Sequence, residues 1–191
     1  MTVAVCAIGI DPGLSGALAA VQLDGDEVRV LETVQMPVRA PGAGPIGQGN
    51  IVDTQALREG LLTLIRATRA EFTWTAIERQ QVRPRQQGHL AVGFNYGMVV
   101  AVAEELLLPS RLMFVPATMW KAEMGLSSDK RRSLEVATGL FGAPAADRHW
   151  RTLSREGVAE AALLAYWRAR RVRDMRLARE RREAEGRPSE S

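Results

Sequence analysis

Four carboxylates stand where they could do chemistry. Asp11 ends a continuous apolar, β-branched run from Val3 to Ile10 and is followed by Pro12-Gly13. Glu78 ends a second short apolar run that begins at Phe72. Glu156 and Glu160 are four residues apart in a segment of helical pattern, so they lie one turn apart on one face. Glu156 has a plain role, since acids in a first turn favour the helix dipole. Glu160 does not. Its neighbours on that face are Leu163, Leu164 and Trp167, an apolar stripe where an unpaired carboxylate is costly. It must be protonated, hold a cationic partner or bind a metal. Two acids one turn apart, packed near strands that end in Asp11 and Glu78, repel one another, and a divalent cation removes the conflict. All-oxygen donors select Mg²⁺, with Mn²⁺ able to substitute. Four acids around two such ions suit in-line phosphodiester hydrolysis, one ion activating water and the other stabilising the leaving 3′ oxygen. The chain shows no Ser/His or Cys/His constellation that would supply a nucleophile of its own.

The elements that must position these acids follow from the pattern. Taken as a pleat, the first run points Val3, Val5, Ala7, Gly9 and Asp11 one way and Ala4, Cys6, Ile8 and Ile10 the other. Small residues precede Asp11 on its own face, leaving room for an approach. A second strand runs from Gly16 to Leu23, Asp24-Gly25-Asp26 turns the chain, and Glu27 to Val34 alternates as a third strand. Residues 39–50 hold too much Gly and Pro for regular structure and read as an exposed loop. Asp53 predicts the N-cap of a helix over about residues 54–69, with Leu57, Leu61, Leu64 and Ile65 on one face. A strand over Phe72 to Glu78, a long apolar helix from Gly88 to Leu108 and a strand over Leu112 to Val115 come next. Ser127 or Ser128 is expected to cap a helix over about residues 129–141, and a last helix starts near Ser154. The order βββαβαβα predicts a five-stranded mixed sheet flanked by helices, the α/β arrangement of ribonuclease H-like folds.

Charge divides the chain. Of 25 basic residues only Lys121 and Lys130 are lysines. Residues 168–191 carry nine arginines and five acids, which leaves the rest of the chain almost neutral. We read residues 1–168 as the globular domain and residues 169–191 as an arginine-rich helical or disordered tail suited to sequence-independent phosphate contact. Directly after Glu78, Arg79, Arg83 and Arg85 stand among four glutamines with no acid, a composition suited to phosphate oxygens and base edges. His149 reads as an ordinary structural residue. The single cysteine, Cys6, excludes a disulfide framework or a cysteine-rich zinc site. With no apolar run long enough for a membrane span and no signal-like N-terminus, a cytoplasmic protein with no membrane partner is expected.

Three motifs then carry a resemblance. Ile8-Gly9-Ile10-Asp11-Pro12-Gly13-Leu14-Ser15-Gly16-Ala17 resembles the first catalytic motif of RuvC-type Holliday junction resolvases. Ala76-Ile77-Glu78 resembles their second, and Arg155-Glu156-Gly157-Val158-Ala159-Glu160-Ala161 the final motif of the phage and prophage branch, although Glu156 stands where that branch more often has Asp. Val115-Pro116, Trp120-Lys121, Asp129-Lys130 and Leu140-Phe141 follow in the same order. The resemblance covers roughly residues 4–168. It implies an RNase H-like fold, Mg²⁺-dependent nicking of branched DNA such as a four-way junction, and a homodimer. Asp11, Glu78, Glu156 and Glu160 take the four acidic positions, and Lys121 and Lys130 stand where the resemblance places basic residues near the DNA. Gly93, Gly97 and Ala101, at four-residue spacing on the long helix, permit a close approach to another element. Three other readings compete. A sugar-kinase or chaperone-like ATPase, which shares a Gly-Ile-Asp-x-Gly strand end, needs about twice this length. A catalytically inactive RNase H-like module that binds DNA or protein would have little reason to keep all four acids. A nuclease for another nucleic-acid substrate is barely addressed by the sequence.

Overall fold

The computed structural model describes residues 4–39, 50–81, 88–127, 129–152 and 155–185. A five-stranded sheet is built from β1 (Val5–Asp11), β2 (Ala17–Asp24), β3 (Glu27–Gln35), β6 (Trp74–Arg79) and β7 (Leu112–Pro116) in the order β3-β2-β1-β6-β7. The first three strands form an antiparallel meander, and β6 and β7 add in parallel beside β1. The sheet is therefore mixed and β1 lies at its centre, as an all-apolar run of β-branched residues requires. A separate two-stranded ribbon, β4 (Val38–Arg39) with β5 (Ile51–Val52), frames the Gly/Pro-rich segment. Residues 40–49 of that segment lie outside the described residues.

Helices cover both faces. On one side α1 (Thr54–Thr68) and α2 (His89–Leu106) pack Leu57, Leu61, Leu64, Val99 and Val102 against Ile8, Ile10, Leu18 and Ile77. Asp53 caps α1 as expected, its Oδ1 accepting from the Ala56 N–H at 3.0 Å. That helix ends on Arg69 at φ 48°, which has the only positive φ among the described non-glycine residues and costs on the order of 1 kcal/mol relative to glycine. On the other side lies α6 (Glu156–Glu185), with α3 (Ala117–Glu123), α4 (Lys130–Phe141) and α5 (Ala143–His149) around it. The cap of α4 is Asp129, whose Oδ1 accepts from the Arg131 N–H, not a serine. An acid at that position answers the positive helix end beneath Lys130, Arg131 and Arg132.

The pleat of β1 works as its alternation implies. Ile8 and Ile10 enter the α1/α2 core, while Gly9 faces α6 so closely that a Cβ there would lie 2.1 Å from the Ala161 carbonyl oxygen and 2.6 Å from the Ala165 nitrogen. The helix thus rests backbone to backbone on the central strand. Leu163, Leu164 and Trp167 are fully buried. The helix also runs without a break through residue 168 into the arginine-rich segment, and Ala169 and Val172 are still core residues. No helix among the described residues is long and apolar enough to cross a membrane.

Candidate active site

Asp11 and Glu78 sit at the carboxyl ends of the adjacent parallel strands β1 and β6, whose register pairs Ile10 with Ile77. After Asp11 the chain folds back at once. The Gly13 N–H donates to Asp11 Oδ1 at 3.1 Å, and the Gly16 N–H to the Gly13 carbonyl at 2.8 Å. Gly16 is required here, since a Cβ would fall 2.2 Å from the Asp11 carbonyl oxygen. The start of α6 presses on the same loop, where a Cβ on Gly157 would stand 2.4 Å from the Ser15 carbonyl oxygen. Clamped between Gly157 and the Gly9 contact, α6 brings Glu160 to the strand ends.

Three acids come into electrostatic contact. Asp11 is pushed up to about 7, first by burial, then by the facing Glu78 and Glu160, against the opposing pull of the Gly13 N–H and Lys121. Glu78 is also raised, by burial above all and further by Glu160, with a hydrogen bond from Trp120 and the Lys121 charge pulling it down. The Trp120 Nε1–H donates to Glu78 Oε2 at 2.9 Å, and because the indole is fully buried it fixes the direction of that carboxylate. Glu160 directs Oε1 at Lys121 Nζ, 2.6 Å away, and accepts from Ser133 Oγ at 2.8 Å. This pair is mostly enclosed, the Glu160 side chain being 12% exposed and that of Lys121 22%. Of the three states open to a carboxylate on an apolar stripe, Glu160 here has the cationic partner.

Glu156 is the first residue of α6 and half-buried, one turn before Glu160. Arg79 ends β6, exposed, and its charge reaches the Tyr96 hydroxyl. Arg83 and Arg85 lie outside the described residues. Lys130 opens α4, and its side chain is likewise outside them. Lys121, expected near the DNA, is an intimate member of the acidic cluster. His149 is buried away from the acids, its Nδ1 2.9 Å from Thr33 Oγ1 on β3, and burial lowers its pKa. Sequence reasoning missed two residues of the site, Trp120 and Ser133. Trp120 gave a signal only through its place beside Lys121, and Ser133 gave none, being one polar residue in a mostly polar helix start.

The donor set suits a hard divalent cation. Asp11 and Glu78 are buried carboxylates that, with Glu160, raise one another's hold on protons, a conflict that such an ion relieves. Among the described residues no three acidic, histidine or cysteine side chains are gathered tightly enough to enclose an ion as they stand. Glu160 would have to exchange Lys121 for it.

No protein-family model and no curated protein matches the sequence. Solved structures do. RuvC of Thermus thermophilus in complex with a Holliday junction substrate superposes with a TM-score of 0.55 at 21% identity, over 86% of this chain and 92% of that one. The chain has the RuvC fold. A second Thermus thermophilus RuvC structure gives a TM-score of 0.56 at 21% identity over 89% and 97% of the two chains. The yeast mitochondrial Holliday junction resolvase gives 0.51 at 16% over 87% and 79%. In this RuvC fold the acids gather at the one end of the sheet where β1 and β6 both present their carboxyl ends and α6 begins.

Proposed function

We propose that this protein is a Mg²⁺-dependent endonuclease that resolves Holliday junctions and related branched DNA. The observation that carries the reading is the meeting of Asp11, Glu78 and Glu160 at one end of a RuvC-type sheet, with two of the three held at raised pKa by one another and by burial. The neighbours support the substrate, since one was solved on a Holliday junction and another is named as a junction resolvase. Asp11 and Glu78 would hold the metal, joined by Glu160 and Glu156 from α6, with Mn²⁺ as a substitute for Mg²⁺. Bound metal supplies charge neutralisation for in-line attack of water on a phosphodiester. This chain's own residues do the rest. Trp120 keeps the Glu78 carboxylate in one orientation, the Gly13 N–H does the same for Asp11, and Lys121, once released from Glu160, presents a cation to the phosphate. Arg79, with Arg83, Arg85 and Lys130, would grip the flanking backbone.

A homodimer suits a four-way junction, which offers two strands for symmetric cutting. The exposed side of α2 supports one, because Leu90, Gly93, Gly97 and Ala101 form an uncharged stripe open to solvent, with Leu90 65% exposed. Sedimentation of wild type and Leu90→Glu checks this seam, and a wild-type monomer removes it.

The deciding experiment incubates the protein with a synthetic four-way junction, a fork and a linear duplex, each with Mg²⁺ and with EDTA. Paired nicks in the junction with Mg²⁺ alone are expected. Folded protein that binds the junction and leaves it intact would favour a binding module with an inert acidic cluster.

A further inference from the structure

At the opposite end of the sheet from the acids, a cleft of about 420 Å³ opens beside the start of β1 and the end of α1. Six residue steps along β1 place it about 20 Å from Asp11. Arg69, Arg111 and Arg176 line it, from the end of α1, the turn before β7 and the distal half of α6, with Glu71 the one acid among its walls. These three elements are far apart in sequence, so the cluster is a product of the fold and not of local composition.

Two further features mark the spot. The Arg111 guanidinium is held 4.2 Å from the centroid of Phe72 and 4.7 Å from that of Trp74, which fixes it without a carboxylate. Behind it, Arg168 is only 6% exposed, lies 5.0 Å from the centroid of the same Trp74 ring and spends its hydrogen bonds on the Arg111 carbonyl and the Met113 sulfur. Its Nε is buried without a partner. Two guanidinium groups therefore share one indole. Among the described residues no carboxylate pairs with Arg69, Arg111, Arg168 or Arg176. Buried and half-buried cations left in this state are stabilised by an anion from outside the chain. Planar guanidinium forks beside an exposed aromatic ring match phosphate esters better than a simple halide or a carboxylate.

We propose that this cleft binds phosphate groups, through Arg69, Arg111 and Arg176, as a site separate from the acidic cluster. The phosphate chemistry has two sources, a nucleic-acid backbone or a free phosphate ester, and the first is the expected one. The site does not depend on the nuclease reading, because it needs no cleavage.

The test uses the full chain in EDTA, so that cleavage is silent, and compares wild type with Arg69→Gln/Arg176→Gln. A charge-matched control, Arg29→Gln/Arg58→Gln, removes two arginines that are paired with Glu27 and Glu105 at the surface. Affinity for a 30-base-pair duplex and for a four-way junction is measured from 50 to 200 mM salt. Each lost phosphate contact lowers the logarithmic salt slope by about 0.9, so the cleft variant should lose about twofold to tenfold less affinity than wild type over this range, and the control should follow wild type. In parallel, the melting temperature is followed as inorganic phosphate is added. A salt slope that drops in the cleft variant alone assigns the site to nucleic-acid backbone. An unchanged slope with phosphate stabilising wild type but not the variant assigns it to a free phosphate ester. No difference from the control in either measurement overturns the proposal, whatever the junction assay shows.

Discussion

Replacing Asp11 by asparagine should stabilise the metal-free protein at alkaline pH, and the size of the effect follows from the site. Burial, Glu78 and Glu160 raise the Asp11 carboxyl from an ordinary 3.8 to about 7. The folded chain therefore binds this proton about a thousandfold more tightly than the unfolded chain does. At about 1.4 kcal/mol per factor of ten, ionising Asp11 in the folded state costs at most about 4 kcal/mol of stability. Because the residue keeps some solvent contact, about 2–3 kcal/mol is the working figure. The sign follows from the raised folded-state pKa. The stabilising effect of the bound proton is complete below about pH 4, and it drains away as pH rises through 7. The asparagine side chain carries no such dependence and keeps an oxygen for the Gly13 N–H. Denaturant unfolding in EDTA at pH 5 and pH 8 measures both proteins. The stability gap in favour of Asp11→Asn should widen by about 2 kcal/mol or more between the two pH values. A gap that stays flat would show that the carboxylate is not held among uncompensated acids, and the argument for a cation there would fall with it.

Other outcomes test neighbouring parts of the site. Glu160→Gln keeps the Ser133 hydrogen bond and should fold at a cost of about 1–2 kcal/mol for leaving Lys121 unpaired; it should bind a four-way junction and fail to cut it, and full cleavage in Mg²⁺ by this variant would remove Glu160 from the catalytic set. Gly9→Ala places a methyl 2.1 Å from the Ala161 carbonyl oxygen, which must push α6 off β1; a loss of about 1–3 kcal/mol in thermal or chemical unfolding is expected, with cleavage falling further than stability because Glu160 moves with the helix.

Much of the architecture could be read from the chain, and the reasons differ by element. The β1 run and the α1 stripe of Leu57, Leu61 and Leu64 are legible because burial on two faces or one imposes a periodicity that sequence carries directly. The meander was readable from its turn at Asp24-Gly25-Asp26. Short elements were not. The ribbon β4–β5 has two residues per strand, and α3 and α5 have seven residues each, too few for a period to emerge from local composition. Asp129 outcompeted the serines as a cap because its charge answers a helix start loaded with three basic residues. In the site, the acids could be nominated one by one because each ends a strand or breaks an apolar stripe. Their partners could not. Lys121 meets Glu160 across thirty-nine positions and Trp120 meets Glu78 across forty-two, and no local pattern announces a contact that only the packing of α3 on β7 and α6 creates.

The chemistry of this end of the sheet rests on residues that have almost no side chain. Glu160 reaches the strand ends only because α6 touches β1 at Gly9 and the Asp11 loop at Gly157, with Ala161 and Ala165 offering bare backbone to the strand. Such contact brings three carboxylates within mutual influence, and their repulsion raises the proton affinity of Asp11 and Glu78. The same closeness lets one lysine, Lys121, lower both of them while paired to Glu160. The lysine and a divalent cation are therefore rivals for one pool of negative charge, and whichever holds Glu160 sets the state of the other two acids. Substituting an acid should change what the site binds, whereas adding a methyl to Gly9 should change whether there is a site. Those two classes of variant separate function from fold in a protein whose active residues and core residues share one helix.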